Sequence, residues 1–184
     1  MTPLLNGEGL ALVRGGRLLF EALGLELGAG EAIHVTGPNG SGKSSLIRLV
    51  AGLLLPNAGR ITRSEAALAD EGLALDPELS LARALAFWKG RRLPEAMTAF
   101  HLDELADVPV RLLSNGQAKR ARLARVMASA APLWLLDEPL NGLDRDGTTR
   151  LDAAVAAHRD AGGAVLAASH LPLSGAWREL ELGH

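Results

Sequence analysis

Cysteine and tyrosine are both absent from this 184-residue chain, and aromatic side chains amount to only 3% of it. Without cysteine there is neither a disulfide framework nor a thiolate metal site, and a reducing compartment is permitted without being required. Net charge is nearly absent too: 19 basic against 21 acidic side chains leave −2. That balance supplies no global pull toward nucleic acid or an anionic membrane surface. Long apolar runs are missing. The most apolar stretch, "LVAGLLLP", falls far short of the ~18 to 20 residues of a membrane span. "MTPLLNGEGL" lacks the basic start and apolar stretch of a secretory signal. There is no repeat, heptad pattern or low-complexity linker. At 48% hydrophobic, the length suits one buried core and is short for two. The expectation is a single soluble domain spanning 1–184, whose membrane contact, if any, runs through a partner.

What is present alternates short apolar runs with helical spacing, the pattern of an α/β fold with a mainly parallel sheet. "LALVRG" and "LGLELGAG" read as strands closed by glycine turns, a small N-terminal antiparallel β part. "EAIHVTG" reads as a buried strand, "SSLIRLVAGLL" as a helix, and "LPNAGRIT" as a turn into another strand. Residues 70–111 turn to Ala, Leu and Arg with acids and read as mostly helical, part of a helical subdomain over about 72–128. "APLWLLDEP" and "GGAVLAASH" are two more apolar strands ending in polar residues, the position where open α/β sheets bind ligands.

Gly37-Pro38-Asn39-Gly40-Ser41-Gly42-Lys43-Ser44 fits G-x-x-x-x-G-K-[ST] between a strand and a helix. Its glycines let backbone N–H groups wrap a phosphate chain, and the following helix adds its positive end, with Ser45 in the first turn. Lys43 would neutralise the β- and γ-phosphates and Ser44 would ligate Mg²⁺. "LWLLDEP" puts Asp137 and Glu138 at the tip of a buried strand, where uncompensated carboxylates are costly. Mg²⁺ bridged to phosphates answers that for Asp137, while Glu138 is placed to polarise an attacking water. His170 ends a strand expected in the same sheet and reads as a γ-phosphate sensor. His34, His101, His158 and His184 carry no functional pattern.

"LSNGQ", Leu113–Gln117, opens a basic helical stretch. With the P-loop, acid pair and histidine it resembles, over nearly the whole chain, the nucleotide-binding subunits of ABC (ATP-binding cassette) transporters. Their signature is usually L-S-G-G-Q, so Asn115 replaces a glycine; "NGLD", Asn141–Asp144, matches their D-loop. The resemblance implies a P-loop NTPase of the ABC type that hydrolyses ATP with Mg²⁺. It also implies a head-to-tail homodimer, with each ATP held between the P-loop of one copy and Ser114, Asn115, Gly116 and Gln117 of the other, Asp144 alongside. Physical sense agrees: Ser114 suits an N-cap, the helix from about Asn115 aims free N–H groups at an anion, and Gly116 permits close approach. Lys119 and the arginines behind it read as mostly surface charges.

Two departures stand out. Glu71 falls where the family usually has a Mg²⁺-contacting glutamine, and Arg14 where it stacks an aromatic on adenine; a guanidinium plane stacks too. There is no room for a long coiled-coil insertion, no second cassette, and little chain after His170, which suggests a minimal subunit working with separate membrane subunits. "RLLF", "ALAFW" and "HLPL" are similar to the ATP-binding subunits of bacterial cytochrome c biogenesis (haem exporter) complexes. That implies a peripheral place on the cytoplasmic face of the bacterial inner membrane, integral membrane partners, no nucleic acid and no direct haem contact. Phe87 and Trp88, beside Lys89, Arg91 and Arg92, either pack the helical subdomain or line the groove for a membrane subunit. Two alternatives stay open: the ATPase of another transporter, and a module whose hydrolysis is impaired by Glu71 and Asn115. A soluble P-loop kinase or GTPase leaves "LSNGQ" unexplained.

Overall fold

The computed structural model describes residues 2–72, 75–88 and 90–183. Lys89 and His184 therefore lie outside the described residues. The chain runs β1 (Leu5–Arg14), β2 (Arg17–Leu27), β3 (Ala32–Thr36), α1 (Lys43–Val50), β4 (Ala58–Arg63), β5 (Ala66–Ala69), α2 (Leu81–Ala86), α3 (Leu93–Ala99), α4 (Asn115–Ser129), β6 (Leu133–Asp137), α5 (Arg145–Asp160), β7 (Ala164–Ala168) and β8 (Arg178–Glu181). The strands make a five-stranded sheet in the order β5-β6-β7-β3-β8 and a three-stranded one in the order β2-β1-β4. All pairs in the first are parallel and both pairs in the second are antiparallel. The expected mainly parallel core with a small antiparallel N-terminal part is what forms.

Alternation along the central strands sets the two cores. Leu133, Leu135, Ala164, Leu166, Ile33 and Val35 face α1 and the antiparallel sheet. Trp134, Leu136, Val165 and Ala167 face the other way, toward α2 to α5. Each central strand is buried on both faces, which is why it reads as an unbroken apolar run. β3, β6 and β7 all point the same way, so their carboxyl ends deliver the loop after Thr36, the acids after Leu136 and His170 to one sheet edge.

Three elements differ from the sequence reading. β5 and β8 are strands of four residues each, too short to show a period: β5 is uniformly apolar and β8 mostly charged. Among its described residues the stretch 70–111 holds only two brief helices, α2 and α3, with 3-10 turns at Asp103–Leu105 and Val110–Leu112. Pro94, Pro109 and paired acids break it into pieces, so "mostly helical" overstates it.

Candidate functional site

The loop after β3 is pinned by its neighbours. Gly37 has φ +133°, and a Cβ there would sit 2.2 Å from the Leu182 carbonyl oxygen just past β8. Only glycine fits. Gly42, at φ +104°, is the N-cap of α1 and offers no side-chain cap. The first N–H groups of α1 are therefore left to point into the loop, an arrangement suited to an anion. Lys43 is buried, its Nζ donating to the Gly37 carbonyl at 2.8 Å and the Pro38 carbonyl at 3.1 Å. Arg14, Asn39, Gly40, Lys43, Ser45 and Glu138 line one cavity of about 330 Å³. The hairpin residue Arg14 is thus brought to the loop, as the sequence reading asked.

Ser44 Oγ donates to Asp137 Oδ1 at 2.9 Å across the gap between α1 and β6. Burial pushes the Asp137 carboxyl up, the Ser44 bond and Arg48 pull it back, and Glu138 and Asp70 push it further up. Among the described residues no three His, Cys, Asp or Glu gather as a metal cage. Mg²⁺ needs none: it takes one or two protein oxygens with phosphates and water, so this donor pair fits it. Glu71, just after β5, lines a different cavity of about 330 Å³ with Asn115, Lys119, Arg122, Asn141 and Gly142. It stands on the signature side, apart from the cavity of the P-loop.

Glu138 has φ +46°, an uncommon left-handed conformation for a residue that is not glycine. Its N–H donates to the Ala168 carbonyl at 2.8 Å, and its Oε2 lies 2.8 Å from His170 Nδ1. The histidine expected to sense phosphate is thus on the carboxylate expected to polarise water, and Glu138 in turn faces the P-loop cavity. Lys119 Nζ donates to the Glu138 carbonyl at 2.7 Å. Burial lowers the Lys119 pKa, helped by Arg122, while Glu71, Asp137 and Glu138 act to raise it.

The signature forms as the sequence foretold, with α4 starting at Asn115. Ser114 Oγ accepts from the Gln117 N–H at 3.2 Å, and Gln117 Oε1 accepts from the Ser114 N–H at 2.9 Å, a complete capping box. A box of this kind uses the third N–H of the helix and leaves those of Asn115 and Gly116 aimed out of its end. A Cβ on Gly116 would come within 3.2 Å of the Gly142 carbonyl oxygen, so signature and D-loop segments are packed together. Asp144 caps α5, its Oδ1 accepting from the Gly147 N–H at 2.7 Å.

Two side chains were misread. Lys119 is 4% exposed and Arg125 8%, neither a surface charge. Arg125 donates to the Leu68 carbonyl and lies 4.4 Å over the Trp88 ring. The signal was available: Lys119 falls with Leu123 and Val126 at i, i+4, i+7, and Arg125 with Ala121 and Ala128, on the face that is buried. Phe87 and Trp88 are 75% and 41% exposed. With Asp76, Pro77, Leu79 and Ala84 they line a mainly apolar groove of about 440 Å³, while Trp88 also packs under Arg125. Exposed Arg91 and Arg92 lie just beyond it. His34, with Nε2 3.0 Å from the Ser169 carbonyl oxygen, and His158, stacked on Trp134, are tied into the fold.

Known proteins resemble this chain at the levels of sequence and fold. The family model described as ABC transporter matches residues 20–141. The cytochrome c biogenesis ATP-binding export protein CcmA of Sphingopyxis alaskensis is 56% identical over 181 residues, covering 95% of this chain and 93% of that protein. The protein of the same name from Rhodopseudomonas palustris (strain BisB5) is 41% identical, covering 97% and 98%. Among solved structures, an ATP-binding subunit of an ABC transporter superposes with a TM-score of 0.81 at 24% identity, covering 91% of this chain and 80% of that one. A nucleotide-free ATP-binding cassette from an ABC transporter gives 0.77 at 18% identity, covering 92% and 82%. At those identities the structures speak to the fold alone.

Proposed function

The chain belongs to the ABC transporter family, and from that premise we propose that it is the ATP-hydrolysing subunit of a bacterial cytochrome c biogenesis, haem-export complex. The observation that carries the catalytic part is one sheet edge holding two prepared pairs: Ser44 with Asp137 at 2.9 Å, and Glu138 with His170 at 2.8 Å. ATP enters the cavity beside Arg14, whose guanidinium plane can stack on the base. The N–H groups of Gly37–Ser44 and the start of α1 take the phosphates. Lys43, held in reserve on the Gly37 and Pro38 carbonyls, turns to the β- and γ-phosphates.

Ser44 and Asp137 would hold Mg²⁺, which when bound neutralises charge on the phosphate oxygens. Glu138 orients a water in line with the γ-phosphorus and accepts its proton. The new P–O bond forms as the bond to the leaving ADP oxygen breaks. His170 keeps the Glu138 carboxylate directed and stands beside the γ-phosphate.

In this reading residues 1–184 form one ABC ATPase domain, with 72–128 as its helical subdomain. A second copy, head to tail, closes each site with Ser114, Asn115, Gly116 and Gln117, its Asp144 nearby and its Glu71 behind them. Closure on ATP and opening after hydrolysis make a two-state drive. The groove at Phe87 and Trp88 receives an integral membrane subunit. No helix among the described residues is long and apolar enough to cross a membrane, which suits peripheral attachment at the cytoplasmic face of the inner membrane. The chain itself handles neither haem nor nucleic acid.

Glu138→Gln tests the catalytic reading. The variant should bind ATP, lose turnover by more than about 100-fold and accumulate an ATP-dependent dimer on size exclusion. Unchanged turnover with no dimer sinks the reading. Co-purification in mild detergent tests the system: small haem-handling membrane subunits should accompany the chain, and recovery only with subunits of another transporter overturns that assignment.

A further inference from the structure

Glu138 sits in a backbone conformation that non-glycine residues rarely keep, with φ +46°, and such a conformation persists only where the surroundings hold it. Five hydrogen bonds do so. Its N–H donates to the Ala168 carbonyl at 2.8 Å, its Oε2 lies 2.8 Å from His170 Nδ1 and accepts from the His170 N–H at 3.4 Å, and its carbonyl accepts from the Asn141 N–H at 3.2 Å and from Lys119 Nζ at 2.7 Å. The first three come from β7 and the second residue beyond it, and the fourth from the turn that follows Glu138. The shortest one on the carbonyl comes from α4, the helix that begins with the signature, and from a lysine that is 4% exposed.

We propose that Lys119 is a positioning residue for hydrolysis: its ammonium clamps the Glu138 carbonyl, keeps that peptide in its left-handed state and so aims the carboxylate at the attacking water. The proposal rests on the reading of Glu138 as the water-orienting base. Without the ammonium the carbonyl keeps only the longer bond from the Asn141 N–H, and the peptide is freer to relax toward the ordinary helical or extended regions and carry the side chain with it. A misplacement of about 1 Å at a reacting group costs on the order of 10²-fold in rate. Lys119 also stands one helical turn beyond Asn115. The helix that offers N–H groups to a second copy's ATP therefore fixes the carboxylate that serves its own.

The test compares Lys119→Met, Lys119→Arg and Glu138→Gln in the full chain within its membrane complex, reading kcat, KM and equilibrium ATP binding. Lys119→Met should lower kcat about 10- to 100-fold with KM and ATP affinity within about twofold of the parent. Lys119→Arg, which can reach the same carbonyl, should restore most of kcat. If Lys119→Met keeps kcat within about twofold while Glu138→Gln still blocks turnover, the proposal falls and the reading of Glu138 stands. Parallel loss of kcat and ATP affinity without rescue by arginine marks a merely structural lysine and also overturns it. Full turnover in Glu138→Gln removes the base itself, a separate failure. Should Lys119→Met yield no folded protein, Lys119→Leu, which likewise has no donor, carries the same comparison with the same outcomes.

Discussion

The two halves proposed for the nucleotide site are built to different degrees of completion. The P-loop half is finished within one chain: Gly37 is wedged against the Leu182 backbone, Lys43 is bonded inside its own loop, and Ser44 already touches Asp137. The signature half is capped but open. Ser114 and Gln117 satisfy each other, Gly116 leans on Gly142, and the end of α4 faces solvent. A phosphate cradle must be formed before ATP arrives, since ordering it on binding would subtract from affinity. In the dimer proposed above, a half-site completed by another copy gains from staying open, because its closure is then the event that ATP controls.

Gly37→Ala should break the finished half most completely. The added Cβ meets a backbone oxygen at 2.2 Å in a φ of +133° that alanine resists, and neither the sheet edge nor the turn can give. We expect a loss of more than about 3 kcal/mol, some 6–12 °C in Tm, together with loss of ATP binding. A Tm within a degree or two of the parent by calorimetry would show that the loop is not pinned as described.

Asp137→Asn should separate function from stability in that same half. Burial raises the Asp137 pKa, so its ionised form burdens the nucleotide-free fold. The sign follows: the burden is present above the raised value and vanishes as pH falls below the ordinary 3.8. An amide that keeps an oxygen for Ser44 should raise the nucleotide-free Tm by about 2–4 °C at neutral pH. It should also erase the extra stabilisation that Mg²⁺ adds to ATP. A lower Tm would show that the carboxylate is a net support of the fold.

Ser114→Ala acts on the open half. Losing the cap costs about 1 kcal/mol, or 2–4 °C. ATP binding by a single copy should be unchanged while ATP-dependent dimerisation weakens. Equal damage to both, measured by titration and by size exclusion, would mean that the halves are not independent.

That contrast also marks what could be read in the sequence. The P-loop and the Ser114 cap are local: each is a short run whose turn or cap its own residues set, and each stands where the pattern put it. The Glu138–His170 bond, by contrast, depends on β6 and β7 being adjacent, which a strand order decides. β8 was missed because "RELE" has no apolar period of its own; it is held by its parallel pairing to β3. Lys119 and Arg125 were misread because charge was weighed above helical position. Their partners, the Glu138 and Leu68 carbonyls, are backbone groups that no residue pattern advertises.

The smallest effect lies beneath both halves, where His158 on α5 stacks on Trp134 of β6 with ring centroids 4.0 Å apart and planes 10° from parallel. Burial lowers the His158 pKa below 6.5, with Arg92 adding to it and bonds to the Ala164 and Pro132 backbone opposing. The neutral ring is what the fold accepts, whereas the unfolded chain takes up its proton near the ordinary value. The stabilisation is therefore complete above about pH 6.5 and is lost as pH falls from there toward the lowered folded value. Asp146, whose carboxyl Arg150 holds below the ordinary 3.8, acts only in more acid solution than a scan from about pH 7.5 to 5.5 reaches. Melting curves between about pH 7.5 and 5.5 should show Tm falling in the parent, with the slope reduced in His158→Gln. An identical slope in both would place the acid sensitivity elsewhere than this stack.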